Sequence, residues 1–317
     1  SICQCELCEG KEVEEMGSRG KLSNHVWDFA NRVAKEVGKT HPDKLITCCA
    51  YGANTQPPTN IDKLVPNVQV LIVGGRRPRN TLPDQREAVR KLREGWLRKT
   101  DRPIIVFENY PFTGRGVYLP VFVARTIGES INVTKGVSRG EDIWTTAPRY
   151  HYSPNVAFDH FQIYFTARMW WGGKDADVGA LLEEYCRLFY GPAAGPKMLA
   201  FFDYCEANYQ SMENELEPVE TTLAMFGEAK TAVEPGTPYA ARMTTIDRFL
   251  EKLRAKAKQL AQGRGPVAAV RMVWDPREEI VIDGKFDDEY WVRHRDWAVA
   301  QLRELQTGEK PIYPTTV

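Results

Sequence analysis

The chain has 317 residues, with 42 Lys plus Arg against 42 Asp plus Glu and a formal net charge of +0. That balance gives no global pull toward nucleic acid or a membrane surface, so neither is expected as a partner. An apolar fraction of 43% allows a substantial core. No run of about 18 apolar residues occurs, so no membrane span is expected, and no stretch reads as a signal peptide.

Residues 1–22 are charged, contain Gly, and read as a loop. Cys3, Cys5 and Cys8 form C-x-C-x-x-C without a fourth ligand nearby, so loop thiols or a disulfide are expected rather than zinc. Ser23 is the predicted cap of a helix carrying Val26, Phe29, Ala30, Val33 and Val37, with Gly38 at its end. A strand is predicted over 45–51, with Cys48 and Cys49 on opposite faces, and a second over 68–73, stopped by Gly74-Gly75. Arg76, Arg77 and Arg79 then read as a solvated basic loop, or alternatively as a site for an acidic sugar or phosphate. Thr81 or Asp84 opens a helix with Ala88, Leu92, Trp96 and Leu97. The run 103–108 follows, a continuous apolar strand that ends on Glu108-Asn109-Tyr110.

After the Gly-rich loop 111–116, the pattern predicts a helix over 119–127 and a weak strand over 131–137, which leaves Glu141 just beyond a strand end. From Val156 the chain turns helical. Phe158, Phe161, Tyr164, Phe165 and Met169 share one face, with Trp170 read as core. Asp175 or Asp177 caps a helix over 178–190, which Gly191-Pro192 stops. Further helices are predicted at about 195–215, 218–230 and 237–262. Cys186 and Cys205 fall in these helical patterns as small core residues. Residues 263–266 read as a linker, and 280–285 as a strand and turn. Strands alternating with helices are the sequence form of an α/β fold with a parallel sheet or barrel.

Two carboxylates at neighbouring strand ends suit glycoside hydrolysis, which needs a proton donor and a second group to attack, stabilise or orient. Glu108 and Glu141 are the candidate catalytic pair, since strand ends in a barrel converge on one cleft. Asn109 and Tyr110 are candidate substrate-binding partners. Tyr51 is a candidate cleft residue, and Trp144 and Trp171 are candidate sugar platforms. The five His residues show no metal-binding spacing, there is no G-x-S-x-G, and no cofactor or metal is called for.

Several segments carry a resemblance. They are Cys3-x-Cys5-Glu6-x-Cys8 with Ser23-Asn24-His25-Val26-Trp27-Asp28-Phe29-Ala30-Asn31-Arg32-Val33-Ala34, Ala50-Tyr51 with Pro57-Pro58, and Pro66-Asn67-Val68. To these add Lys135-Gly136-Val137 before Glu141, Tyr164-x-x-Ala167-Arg168-Met169-Trp170, and Asp175-Ala176-Asp177-Val178 with Phe189-Tyr190-Gly191-Pro192-Ala193-Ala194. Together, over about residues 1–215, they resemble the domain of unknown function 4838, a barrel family overlapping glycoside hydrolase family 163. The resemblance implies a (β/α)8 TIM-type barrel, secretion or a periplasmic location, and a glycan (oligo- or polysaccharide) partner. It also implies activity of the endo-β-N-acetylglucosaminidase kind, with Glu141 and Glu108 at the family's acidic positions. Trp171-Gly172-Gly173 departs from the family's Trp-Asp-Pro. Ile282-Asp283-Gly284-Lys285-Phe286-Asp287-Asp288-x-x-Trp291 resembles the opening of a family 9-like carbohydrate-binding module, a β-sandwich. The expected organisation is therefore the C-terminal portion of a barrel over 1–150, a helical extension over 151–265, and a truncated β module over 266–317. The competing expectations are a carbohydrate-binding barrel without catalysis and a surface scaffold that presents the terminal module.

Overall fold

The computed structural model describes residues 5–6, 8–110, 119–145, 156–173 and 176–262. The loop after Tyr110, Asp175, the side chain of Phe158, the linker at 263–266 and the terminal module call all lie outside them. Residues 1–257 form one compact unit, and a second begins at Lys258.

The unit is mixed α/β. Four strands, β1 (Ile46–Ala50), β2 (Val68–Val73), β3 (Ile104–Asn109) and β4 (Ser138–Trp144), form one parallel sheet in the order β1-β2-β3-β4. Helices α1 (Ser23–Thr40), α2 (Pro83–Lys99) and α3 (Ala124–Thr134) flank them. Five more helices follow: α4 (Val156–Trp171), α5 (Val178–Tyr190), α6 (Gly195–Ala207), α7 (Leu216–Thr231) and α8 (Pro238–Ala261). The described strands make an open sheet, neither a closed barrel nor a β-sandwich.

One face of the sheet is covered. Val68, Val70, Ile72, Ile104 and Val106 alternate onto it and pack with Trp27 and Ala34 of α1 and Leu92 and Trp96 of α2. Each such aliphatic side chain is worth about 1.5–3 kcal/mol of burial. The Trp27 and Trp96 rings meet at 4.3 Å. Their indole N–H groups donate to the carbonyls of Asn54 (3.0 Å) and Thr55 (2.9 Å). Two core tryptophans thereby fix the loop that follows β1. The other face is less closely covered among the described residues: Cys49 is exposed, Leu71, Val73, Phe107, Asn109 and Trp144 are half-buried, and Gln69 is buried.

Local signals explain several boundaries. Asp177 caps α5 by accepting from the Ala180 N–H at 2.7 Å, and Gly191, at φ 87°, ends it in a conformation that favours glycine. Ser23 is the first residue of α1 rather than its cap; Leu22 holds that position without a side-chain hydrogen bond. The helix also runs through Gly38 to Thr40. Gly38 serves packing instead: a Cβ there would sit 3.3 Å from the side-chain nitrogen of Asn67, which donates to the Ala34 carbonyl at 2.7 Å.

The strand predicted over 131–137 is a misreading. Residues to Thr134 belong to α3, where Ile131 is buried and the Thr134 hydroxyl turns back onto helix carbonyls. β-branched residues resemble a strand locally, but packing of an amphipathic face overrides that preference. Gly136, at φ 88°, reverses the chain, and the strand follows at 138–144. The predicted helix over 119–127 likewise begins only at Ala124, after a buried segment 119–123. The helix expected over 195–215 stops at Ala207, and a short 3-10 turn covers Ser211–Glu213.

Candidate functional site

β3 delivers Glu108 to the covered face. Val106 and Glu108 alternate onto the same side, toward α2 and α3. β4 does the same with Glu141, for a less obvious reason. Ile104 pairs with Ser138 but Ile105 pairs with Gly140, so Arg139 is an extra residue in the ladder. This bulge shifts the phase by one and sets Glu141 beside Val106, under the helices.

The structure therefore brings Glu108 and Glu141 into one cluster, but not across an open cleft. Arg76, fully buried, is held between them. Its Nη1 donates to Glu141 Oε2 at 2.7 Å, and its Nη2 makes a short hydrogen bond to Oε1. Its Nε donates to Ser130 Oγ at 3.1 Å and lies 3.9 Å from Glu108 Oε1. Arg93 of α2 adds a second cation, 3.8 Å from the same oxygen, and donates from Nη1 to Ser130 at 3.1 Å. Trp170, at the end of α4, donates its indole N–H to Glu141 at 2.7 Å. The Thr134 hydroxyl lies 3.1 Å from the other carboxylate oxygen. Side-chain exposure is 1% for Glu108 and 6% for Glu141.

The basic loop reading of Arg76 is thus corrected. Two carboxylates at nearby levels of the sheet draw this one arginine inside, while Arg77 and Arg79 stay exposed. Trp170, expected in the core, is 41% exposed and serves as a donor.

The pKa values of the two carboxylates shift in opposite directions. Burial raises the pKa of Glu108 more than Arg76 and Arg93 lower it. Its oxygens make no full hydrogen bond; the Arg76 backbone N–H lies close enough only to help. Burial also opposes the charge on Glu141, but hydrogen bonds from Arg76, Trp170 and Thr134 outweigh it and hold the pKa below the usual 4.5. Arg76 stays cationic: burial is outweighed by the Tyr110 oxygen and the two carboxylates. Burial, with Arg76 nearby, lowers Arg93 to about 10.

A pH prediction follows from these directions. Glu141 contributes stability that is full above about 4.5 and is lost as pH falls through its lower folded value. Glu108 has the opposite sign: stability falls as pH rises from its unfolded value toward its raised folded one. Glu141→Gln therefore loses least stability, relative to the parent, at acid pH. Denaturant titrations between pH 3 and 7 test this, and a constant difference across that range removes the assignment.

Tyr110 is also on the covered side. It is fully buried, its hydroxyl lies 3.0 Å from Thr166 Oγ1, and Arg76 Nη1 approaches it at 3.4 Å. Burial raises its pKa first of all. It is a packed phenol beneath the sheet and does not line a cleft.

The remaining candidates separate. Asn109 and Trp144 are register partners at the carboxyl ends of β3 and β4, on the less covered face. Asp142, not singled out from the sequence, pairs with Phe107 on that same face and is exposed. The strand phase after the bulge is the signal that would have found it. Tyr51, 63% exposed, follows the end of β1. Trp171, 90% exposed, is not with them. It ends α4 beside Gly173, whose carbonyl takes the Lys135 ammonium near the start of β4. As a platform for the same sugar as Asn109 it is misplaced, because α4 runs back toward the amino ends of the strands.

No group of three or more His, Cys, Asp or Glu among the described residues is placed to hold a metal ion. No helix among them is long and apolar enough to cross a membrane. Comparison with protein-family models matches residues 1–203 to a domain of unknown function, DUF4838. No curated protein and no solved structure matches the chain.

Proposed function

The chain belongs to the DUF4838 family, and on that premise we propose that it binds a glycan across the less covered face of its sheet, at the carboxyl ends of the strands. The observation that carries this is the division of the strand-end residues. Glu108, Glu141 and Tyr110 are engaged under the helices. Asn109, Asp142 and Trp144 share the open side. An amide, a carboxylate and an indole suit a sugar: the first two bond hydroxyls, and the ring face takes the apolar side of the pyranose. Ligands of parallel α/β sheets gather at this edge. Such an arc of βα units is also what a larger (β/α)8 barrel would contain, and the secreted or periplasmic setting of a glycan-binding barrel belongs to the same proposal.

Glycoside hydrolysis, including an endo-β-N-acetylglucosaminidase type, is the second reading, and exposed Asp142 favours it. That chemistry ordinarily needs two carboxylates. Asp142 is the one carboxylate that the four described strands place on this face.

A glycan array followed by calorimetry tests the proposal. Trp144→Ala and Asp142→Asn are each expected to weaken binding about tenfold or more, equivalent to ~1.4 kcal/mol. Glu108→Gln is expected to leave the affinity unchanged. Absence of glycan binding by the parent, or unaltered binding by both open-face variants, overturns it. Release of reducing sugar that disappears in Asp142→Asn would move the assignment to the second reading.

A further inference from the structure

A groove of about 540 Å3 runs along α2, between that helix and the loop after β1. Ala88, Lys91, Gly95 and Arg98 line it from the helix, with Lys99 beside them. Two of these positions are small, which is why the groove exists. A Cβ at Gly95 would lie 3.1 Å from Pro57 Cγ, so glycine lets the loop come up against the helix. Ala88 is exposed and fills little of the space. The opposite wall is held in place. Pro57 and Pro58 have a fixed φ. The Thr55 carbonyl takes the Trp96 indole N–H at 2.9 Å, and Thr59 shares hydrogen bonds of 2.7 and 2.9 Å with the Asn24 amide.

Among the described residues, three cations and no carboxylate line the groove. Arg98 is exposed and makes no hydrogen bond or ion pair with them. Its Nη2 lies 3.9 Å from where a Gly95 Cβ would be, so the guanidinium folds back along the helix toward the groove. Lys99 spends one of its three donors on the Ile61 carbonyl. Lys91 lies 3.6 Å from Glu87, but Arg90 holds that carboxylate closer, at 2.6 Å. Asp84, a turn before Ala88, takes the Gln85 amide and does not line the groove. Arg98 and Lys99 also complement the carboxyl end of α2; Lys91 stands two turns earlier, beyond the reach of that effect.

Spacing and lining select the ligand class. Lys91 and Arg98 stand about 10 Å apart along the helix axis, so a ligand that uses both carries at least two anionic groups. Pro57, Pro58 and Leu92 supply an apolar strip for a sugar ring, and the Gln56 amide is available to its hydroxyls. Nucleic acid fits less well, because no aromatic ring lines the groove to stack on a base. An acidic peptide also fits less well, because the loop has no backbone N–H to offer its main chain. The two prolines carry none, Gln56 N–H donates to the Arg19 carbonyl at 3.0 Å, and Thr59 N–H donates to Asn24.

We propose that this groove binds an acidic oligosaccharide, a short sugar chain bearing sulfate or carboxylate groups, with Arg98 and Lys99 taking one anionic group and Lys91 another. Asn109, Asp142 and Trp144 do not line it, so the inference does not rest on the glycan reading of the open face.

The test is calorimetry on the 317-residue protein at low, constant ionic strength. The probes are a sulfated tetrasaccharide and tetragalacturonate, compared with uncharged maltotetraose, a single-stranded oligothymidylate and a glutamate tetrapeptide. The expected result is saturable binding of at least one acidic tetrasaccharide, none of maltotetraose, and weaker binding of the other two polyanions. Arg98→Ala and Lys91→Ala each weaken it about fivefold, as loss of one exposed ion pair allows. Ala88→Glu, at an exposed position, sets a like charge in the groove and weakens it about tenfold or more. Lys44→Ala, which removes an exposed cation elsewhere, and Trp144→Ala leave it unchanged. Binding of neither acidic tetrasaccharide, equal binding of maltotetraose, or tighter binding of the oligothymidylate or the peptide overturns the proposal. So does a loss in Lys44→Ala as large as in Arg98→Ala, which would mean diffuse charge. A loss in Trp144→Ala alone would place the sugar on the open face and overturn this site while leaving the other reading standing.

Discussion

Glu141→Gln lowers the stability of the folded unit by about 3–5 kcal/mol, the usual cost of removing one partner from a buried ion pair. Arg76 would keep its charge in a site that excludes water, with Glu108 3.9 Å from Nε as its remaining anion. At roughly 2–4 °C per kcal/mol for a unit of this size, the melting temperature falls by about 6–20 °C. Glu108→Gln costs less, because burial already raises the pKa of that carboxyl and its oxygens carry no full hydrogen bond. Arg76→Met alone takes the guanidinium from Glu141 and leaves Glu108 with Arg93, and it belongs with Glu141→Gln. Adding Glu108→Gln and Glu141→Leu to Arg76→Met recovers part of that stability, since Glu141 is no longer a buried anion without its arginine, while Arg93 is left without Glu108. Calorimetric melting of the four proteins checks the order. Equal losses for Glu108→Gln and Glu141→Gln would contradict the asymmetry drawn from their partners.

Trp96→Ala is the second large effect, at about 3–5 kcal/mol. The ring is fully buried in the core between sheet and helices and packs on Trp27 at 4.3 Å. Its loss also releases the Thr55 carbonyl from a 2.9 Å hydrogen bond. Trp96→Phe keeps most of the apolar volume and loses only that bond, so it should cost about 1–3 kcal/mol. Hydrogen exchange would show the difference locally: both variants loosen the 51–56 loop, and only Trp96→Ala loosens β1 and β2. Protection unchanged in the loop of Trp96→Phe would mean that the indole contributes packing alone.

Much of the fold was legible in the residues. β1, β2 and β3 are apolar runs bounded by Gly, Pro and polar loops, and a buried parallel strand has little choice but to look like that. β4 was not legible, because Ser138-Arg139-Gly140-Glu141-Asp142 lacks an apolar run while the preceding Ile131-Asn132-Val133-Thr134 has β-branched residues. Glu108 and Glu141 lie on adjacent strands, but Glu141 sits within β4 and not beyond a strand end. The direction of Glu141 was hidden by the bulge at Arg139, since one extra residue exchanges the two faces of a strand. Arg76 was hidden differently. Nothing in Arg76-Arg77-Pro78-Arg79 marks one arginine of three as buried; its partners lie 32 and 65 residues further along. Asp142 and Trp144 could be placed on the open face only once that phase was known.

The same cluster has a consequence for the order of assembly. Every strand pairs with its neighbour in sequence, so the sheet can grow from β1 toward β4 with a template waiting at each step. Arg76 breaks that locality. The loop after β2 carries a charge whose principal partner, Glu141, arrives only with β4, and the indole that donates to Glu141, from Trp170, arrives with α4. Until β4 is in place the guanidinium lacks its principal partner, and the cluster is complete only once β4 and α4 have both docked. Substitutions in the Arg76–Glu141 pair should act on the late phase of refolding and leave the early growth of β1 to β3 largely unchanged.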